Sequence, residues 1–232
     1  MISLIIPAYN EEKRILSTLR EYYKFFEKRK EDFEILVVAN NCTDKTPQIA
    51  GNFSASKKRS RLYSIPQKIG KGGAIKIGFE KSNGDWVCFV DADNSTPPAE
   101  FGKVLEAAKK HNCVAIASRG IAGSEVSNSP VYRSILGRGF HFLVNLIFGL
   151  GIRDTQCGAK VFPAKVAKAL IKEGFSSGWE FDVELLLKCR KKNIRIIEIP
   201  VIWTEYGDSK LNLLSIPEMF LGLLKMRLSG KL

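Results

Sequence analysis

Residues 85–93 read Asp85-Trp86-Val87-Cys88-Phe89-Val90-Asp91-Ala92-Asp93, a short apolar run that stops at two carboxylates. An unbroken apolar run of this length, rich in β-branched and aromatic residues, is the pattern of a strand buried on both faces. Such strands belong to parallel sheets covered by helices, whose ligands bind beyond the carboxyl ends of the strands. Asp91 and Asp93 stand at that end, and together they can hold a hard divalent cation that neutralises a diphosphate. The plainer alternative is that Asp91 caps the following turn and Asp93 is solvated.

The same alternation recurs outward from this segment. Residues 2–6, 34–38, 62–65 and 113–117 read as strands, with helices expected over 11–30, 44–53, 70–81 and 97–110. Apolar runs alternating with helical periodicity predict βαβ units around a mostly parallel sheet, an α/β fold. The second half is less regular. Residues 120–130, rich in Gly and Ser, read as a mobile loop; 133–148, 163–172 and 181–192 read as helices, and 194–203 as a strand pair interrupted at Pro200. Without an internal repeat or a low-complexity linker, residues 1–232 are expected to form a single domain.

Composition narrows the partners. At 45% hydrophobic and 26% charged residues the chain is globular rather than disordered. The excess of 36 Lys+Arg over 24 Asp+Glu, a net charge of +12, favours polyanions: nucleic acid, an anionic membrane, or phosphorylated small molecules. The five scattered cysteines lack C-x-x-C spacing, which argues against a disulfide framework or a zinc site and suits a reducing cytoplasm. No basic leader precedes the first strand, so no signal peptide is expected. The longest apolar-rich segment, 140–152, contains His141 and Asn145 and is too short to span a bilayer.

Two further segments stand where ligands bind. The first strand ends in Pro7-Ala8-Tyr9-Asn10-Glu11-Glu12. There Tyr9 can stack on a base and Glu11 can accept hydrogen bonds from ribose or base. The same residues also suit a helix entry, with Asn10 as cap and the glutamates in the first turn. Gly70-Lys71-Gly72-Gly73 opens a helix, where backbone N–H groups and Lys71 can cradle phosphates, although the spacing is neither a P-loop nor a dinucleotide fingerprint. Such a run is also an ordinary turn.

In this order the pieces resemble the family-2 glycosyltransferases of the GT-A fold, a Rossmann-like, mostly parallel sheet flanked by helices. The resemblance is nearest to the branch of dolichyl-phosphate mannose synthase and dolichyl-phosphate glucosyltransferase. It runs from residue 2 to about residue 210, through Pro7-x-Tyr9-Asn10-Glu11, Gly70-Lys71-Gly72, Asp91-Ala92-Asp93, Ser118-Arg119, Arg133 and Asp154-Thr155-Gln156-Cys157-Gly158-Ala159-Lys160. It continues through Phe181-Asp182-Val183-Glu184-Leu185 to Gly207-Asp208-Ser209-Lys210.

The resemblance implies roles. Pro7, Ala8, Tyr9 and Glu11 would line the nucleotide pocket, with Asp91 and Asp93 holding Mg²⁺ or Mn²⁺ on the donor diphosphate. Arg119 and Arg133 would receive an acceptor phosphate. Gln156, Lys160, Glu180 and Asp182 would shape the sugar pocket, and Lys71 and Lys210 would lie near the phosphates. Two departures stand out. Where the family has paired Asp after the second strand, this chain has Ala39-Asn40-Asn41-Cys42-Thr43-Asp44, leaving Asn40 to pair with a base edge. Ser95 replaces the Gln frequent in mannose synthases, which leans toward the glucosyl branch.

The expected activity is inverting transfer of a sugar from a nucleotide-sugar, of UDP-glucose or GDP-mannose type, to a polyprenyl (dolichyl) phosphate. A phosphate acceptor is already ionised and needs arginines, whereas a hydroxyl acceptor needs a general base such as Asp182 or Glu184. Apolar stripes at Ile135, Leu136, Phe140, Leu143, Ile147 and Leu150, and at Ile216, Phe220, Leu223 and Leu224, suit either a core face or interfacial docking. With Lys225, Arg227 and Lys231 nearby, helices near 133–150 and 213–228 are expected to place the protein peripherally on an anionic membrane, at its cytoplasmic face. The alternatives are a transferase acting on a glycan or other hydroxyl acceptor, a nucleotidyltransferase, and a basic nucleic-acid-binding module. The second would want a Gly-rich loop after the first strand; the third explains the charge but not the strand-end carboxylates, so no nucleic-acid partner is expected.

Overall fold

The chain runs β1 (Ile2–Ala8), α1 (Ile15–Arg29), β2 (Phe33–Asn40), α2 (Thr46–Ser56), β3 (Ser60–Ile65), α3 (Gly70–Lys81), β4 (Trp86–Phe89), α4 (Pro98–His111) and β5 (Val114–Ser118). It continues with β6 (Glu125–Ser127), α5 (Val131–Phe148), β7 (Lys160–Pro163), α6 (Ala164–Glu173), α7 (Phe181–Lys191), β8 (Ile196–Pro200), β9 (Ile202–Thr204) and α8 (Ser215–Leu228). The computed structural model describes residues 1–178, 180–206 and 215–228, the side chains of 131–136, 138 and 215–220 excepted.

The main sheet has the order β3-β2-β1-β4-β7-β5-β8. All neighbours are parallel except β7, which runs antiparallel between β4 and β5. The mostly parallel α/β architecture read from the sequence is therefore present. Alternation along β1 explains the layering: Leu4 and Ile6 pack with α1 and α4 on one face, and Ile5 with α3 and α7 on the other. Phe26, Phe33 and Phe101 anchor the first face, Phe79, Phe89 and Phe162 the second. Truncating one of these fully buried rings to Ala costs about 3–5 kcal/mol.

Four expectations are corrected. The first helix starts at Ile15 rather than at residue 11, because Asn10 turns at φ 53° and Glu11 and Glu12 bond to another loop. The segment 120–130 contains β6, which pairs in parallel with β9. β8 and β9 are not paired with each other: β8 joins β5 in the main sheet, and the chain leaves it after Pro200. Finally, residues 160–163, read as part of a motif and a helix start, form the internal strand β7 between β4 and β5.

Candidate active site

Strand order reverses between β1 and β4, and the crevice beyond their carboxyl ends is where doubly wound sheets bind ligands. Pro7 lies buried in β1 beyond the last residue that β4 pairs with, so its missing N–H leaves no gap in the ladder. Past Ala8 the chain turns at Asn10, and past β2 at Asn41 (φ 51°), both in the left-handed region that Asn tolerates. The two turns clasp each other. Thr43 N–H donates to Asn10 Oδ1 at 2.8 Å, Glu11 N–H to Thr46 Oγ1 at 2.7 Å, Glu12 N–H to Asp44 Oδ2 at 3.0 Å and Lys45 N–H to Glu12 Oε2 at 3.0 Å. Glu11 pairs with Arg14 at 2.6 Å, Tyr9 stands 43% exposed at the rim, and Asn40 is buried with its amide donating to Ala8 O at 3.4 Å.

The Asp91–Asp93 turn is held by α1, whose buried Thr18 hydroxyl donates to Ala92 O at 2.8 Å and whose Tyr22 hydroxyl donates to Thr96 O at 2.7 Å. Asp93 Oδ1 accepts the Ser95 N–H at 2.9 Å, and Asp91 Oδ1 pairs with Lys71 Nζ at 2.6 Å. Burial works against ionised Asp91, but Lys71, with Lys160 and Arg119 behind it, more than offsets this and holds the carboxyl below its ordinary value. Burial and the neighbouring Asp91 charge push Asp93 the other way, above the usual carboxylate range. Gly158 is what admits Asp91: a Cβ there would lie 1.9 Å from Asp91 Oδ2.

This donor set fits a hard divalent cation. It offers neighbouring carboxylate oxygens at a strand end, with the Asp91 carboxylate seated where a side chain at Gly158 would otherwise stand. Among the described residues no group of three or more His, Cys, Asp and Glu converges as a complete cage. The protein would thus give two carboxylates, leaving the other positions to substrate phosphates and water, as Mg²⁺-type sites commonly do.

The Gly-rich helix entry is otherwise than expected. Gly72 N–H donates to Ser177 O at 3.2 Å, and a Cβ on Gly72 would meet Ser176 O at 2.3 Å. The glycines therefore let the 176–177 segment pack on α3, and only the Lys71 side chain of that motif reaches the carboxylates.

Across Asp91 lies a group of buried charges. Arg119, just past β5, grips Asp154 through Nε at 2.7 Å and Nη2 at 3.0 Å, while its own N–H donates to Asp154 Oδ2 at 2.9 Å. Asp154 is 1% exposed and also accepts the N–H groups of Gln156 and Cys157, each at 3.1 Å. Burial opposes its charge, yet Arg119 and His141 hold the Asp154 carboxyl well below the usual range. The Arg119 guanidinium, 29% exposed as a side chain, lies 5.1 Å over the Trp203 ring. His141 Nε2, from α5, approaches Asp154 Oδ1 at 3.4 Å, and burial pushes the imidazole below its ordinary value.

Lys160, fully buried, donates to Asp182 Oδ1 at 2.5 Å and Cys157 O at 2.7 Å, over the Phe89 ring. Burial raises Asp182 despite Lys160 and Lys71. Glu184, weighed above as a base, instead accepts Ser176 N–H at 2.7 Å and pairs with Lys188 at 2.8 Å. Glu180 packs beside Gly222 of α8, where an added Cβ would lie 3.2 Å from its carboxyl. Gln156 Nε2, Thr155 Oγ1 and His141 Nδ1 are buried without a partner among the described residues, polar atoms left for a ligand or water. The Arg133 side chain and Lys210 lie outside the described residues.

Of the two apolar stripes, Phe140, Ile147, Leu150 and Leu223 face the core, whereas the side chains of Ile135, Leu136, Ile216 and Phe220 lie outside the described residues. Val144 and Leu150 are buried and Phe140 and Ile147 pack against them, while Leu223 of α8 is fully buried. The exposed apolar side chains lie elsewhere on the same helices: Phe142 at 67% and Leu146 at 69% on α5, Leu221 at 53% and Leu228 at 84% on α8, with Lys225 and Arg227 exposed beside them. No helix among the described residues is long and apolar enough to cross a membrane.

Sequence reasoning passed over His141, Glu198 and Trp203 as site residues. Each comes from an element distant in sequence from Arg119: His141 approaches Asp154, Trp203 lies against the Arg119 guanidinium, and Glu198 on β8 accepts the Ser118 hydroxyl and the Asp154 N–H. Asp154 was quoted in a motif without a role; its signal was a lone Asp ahead of a Gly-containing turn.

Known proteins fit this architecture. Residues 3–171 match the family profile described as Glycosyl transferase family 2. Dolichyl-phosphate beta-glucosyltransferase of Trichomonas vaginalis is 33% identical over 97% of this chain and 70% of that protein. The Drosophila melanogaster protein of that name is 34% identical over 90% of this chain and 69% of its own length. Among solved structures, glucosyl-3-phosphoglycerate synthase from Mycobacterium tuberculosis, crystallised with Mn²⁺, UDP-glucose and phosphoglyceric acid, superposes with a TM-score of 0.72 at 18% identity. It covers 100% of this chain and 79% of that one. Mannosyl-3-phosphoglycerate synthase from Rubrobacter xylanophilus superposes with a TM-score of 0.76 at 18% identity, over 100% and 75% of the two chains. A mostly parallel sheet with paired carboxylates at its switch point, matched over this much of the chain, makes it a glycosyltransferase belonging to family 2.

Proposed function

We propose that the protein transfers glucose from UDP-glucose to a polyprenyl phosphate, with inversion at the anomeric carbon, at the cytoplasmic surface of a membrane. The observation that carries this reading is the Arg119 guanidinium, fixed by buried Asp154 and close enough to Asp91 for each to bias the other's ionisation. A fixed cation across from the metal carboxylates suits an anionic acceptor. Relatives named dolichyl-phosphate beta-glucosyltransferases support a phosphate acceptor and a glucosyl donor.

The chemistry follows from the groups present. Tyr9 stacks on the base at the rim, and the clasped loops after β1 and β2 fix that wall. Asp91 and Asp93 would hold Mg²⁺ or Mn²⁺, which when bound supplies positive charge for the departing diphosphate. Lys71, already on Asp91, lies within reach of the same phosphates, with Lys210 a further cation for them. Lys160, Asp182 and Gln156 form the sugar-side wall, where the unpartnered Gln156 Nε2 donates to a sugar hydroxyl. Arg119, together with Arg133, holds the acceptor phosphate and aims one oxygen at the anomeric carbon. That oxygen forms the new C–O bond as the bond to the nucleoside diphosphate breaks on the opposite face, and no proton need be removed from the acceptor.

The exposed Phe142, Leu146, Leu221 and Leu228, with Lys225 and Arg227, form the surface that meets the bilayer. The Lys225→Glu/Arg227→Glu variant should lose about 1 kcal/mol of anionic-liposome binding per charge, measured by co-sedimentation. Unchanged binding would remove this surface from the account. For the metal, Asp93→Asn should keep its circular dichroism spectrum and lose most transfer; full activity of the wild-type protein in excess EDTA would contradict the role given to Asp91 and Asp93.

A further inference from the structure

The Arg119–Asp154 pair joins two chain segments, and one carboxylate fastens those segments together. Glu198, on β8, accepts the Ser118 hydroxyl at 2.7 Å and the Asp154 N–H at 3.0 Å through Oε1. Its Oε2 accepts the Arg153 N–H at 3.0 Å. Ser118 immediately precedes Arg119, so Glu198 holds the residue before the arginine and the backbone of the aspartate that grips it. Its placement is fixed by the sheet: β8 pairs with β5 in parallel, with Glu198 opposite Ile116. Its charge also bears on His141, the third group at Asp154.

We propose that Glu198 is a positioning residue for transfer: it sets where Asp154 presents Arg119, and so where the acceptor phosphate is aimed. This rests on the phosphate-acceptor reading. Glu198 touches neither Arg119's guanidinium nor the Asp91–Asp93 carboxylates in any hydrogen bond among the described residues; it acts through the Ser118 hydroxyl and the backbone of 153–154. A carboxylate is the side chain for this task because it only accepts, and three donors converge on its two oxygens. An amide of the same shape turns one oxygen into a donor, which then opposes an N–H or the hydroxyl, and the half-buried network loosens. The donor wall is independent: the loops after β1 and β2 are held by their own bonds.

The test is Glu198→Gln, assayed with UDP-glucose and polyprenyl phosphate, with Mn²⁺–UDP affinity measured by calorimetry on the same preparation. Expected is a fall of about tenfold to a hundredfold in kcat/KM for the acceptor, with UDP affinity unchanged within about twofold. Ser118→Ala, which removes one donor and no charge, should show a smaller loss in the same parameter and keeps the test open if Glu198→Gln does not fold. Wild-type transfer by a folded Glu198→Gln, or a parallel loss of UDP affinity, would overturn the proposal. Arg119→Ala run alongside separates the two levels. If it is impaired while Glu198→Gln is not, the positioning role alone falls; if it transfers at the wild-type rate, the phosphate-acceptor reading falls and takes this role with it.

Discussion

On the proposed donor side of the crevice, the loops after β1 and β2 hold each other by hydrogen bonds between polar side chains and backbone N–H groups, partly open to water. On the proposed acceptor side, the charged Arg119, Asp154, Lys160 and Asp182 and the imidazole of His141 meet from the end of β5, the loop before β7, β7, α7 and α5. The first kind of wall is made of many separate neutral or exposed bonds, each worth about 1 kcal/mol. The second gives stiff aim, but every charge in it depends on a partner, so removing one strands another. The acceptor side should therefore be where single substitutions cost most.

The largest effect is expected for Asp154→Ala, which strips the acceptor from Arg119 and from three backbone N–H groups. A loss of about 3–5 kcal/mol should appear in urea denaturation. Lys160→Met should approach it by leaving Asp182 buried and unpaired, whereas Lys160→Met/Asp182→Leu should return to within about 2 kcal/mol of wild type. A double variant no more stable than the single one would show that packing, not the stranded charge, sets the cost. On the donor side, Thr46→Ala should cost only about 1 kcal/mol by the same measurement. A loss as large as that of Asp154→Ala would erase the distinction between the two walls.

The smallest expected effect is on pH dependence. Burial holds folded His141 below its ordinary value of 6.5, so on acidification the unfolded chain takes up that proton first and stability falls. Asp93 and Asp182, raised by burial, act in the opposite sense, since their protonated forms favour the folded state. The readout is thus a difference: between about pH 7 and 5, His141→Phe should lose less melting temperature on acidification than wild type. Parallel curves would place the imidazole outside the charge network.

This contrast also explains what could be read in advance. The β1–α1–β2 and β4 segments announce themselves because apolar runs, helical periodicity and the Asp91–Asp93 pair are local patterns, whereas the left-handed turn at Asn10 reads equally as a helix cap. β7 is hidden because Lys160 opens it, a charge that breaks the apolar run and is admitted by Cys157 O and by Asp182, 22 residues on. β6 reads as loop because its residues are all exposed and its pairing with β9 is long-range. The stripes on α5 and α8 were correctly apolar, but periodicity alone could not tell which face the core covers. Glu198 is invisible for a similar reason: its meaning lies wholly in the loop it holds.

The central claim, that Arg119 receives a lipid phosphate at the far wall of a metal-dependent sugar-transfer site, is tested most directly by one assay. Wild-type and Arg119→Ala proteins are given radiolabelled UDP-glucose with either polyprenyl phosphate or the matching polyprenol, and labelled lipid is counted. The account predicts transfer to the phosphate alone, reduced by about 2–4 kcal/mol in Arg119→Ala while UDP affinity is kept. Labelled product from the polyprenol, or undiminished transfer by Arg119→Ala, would contradict it.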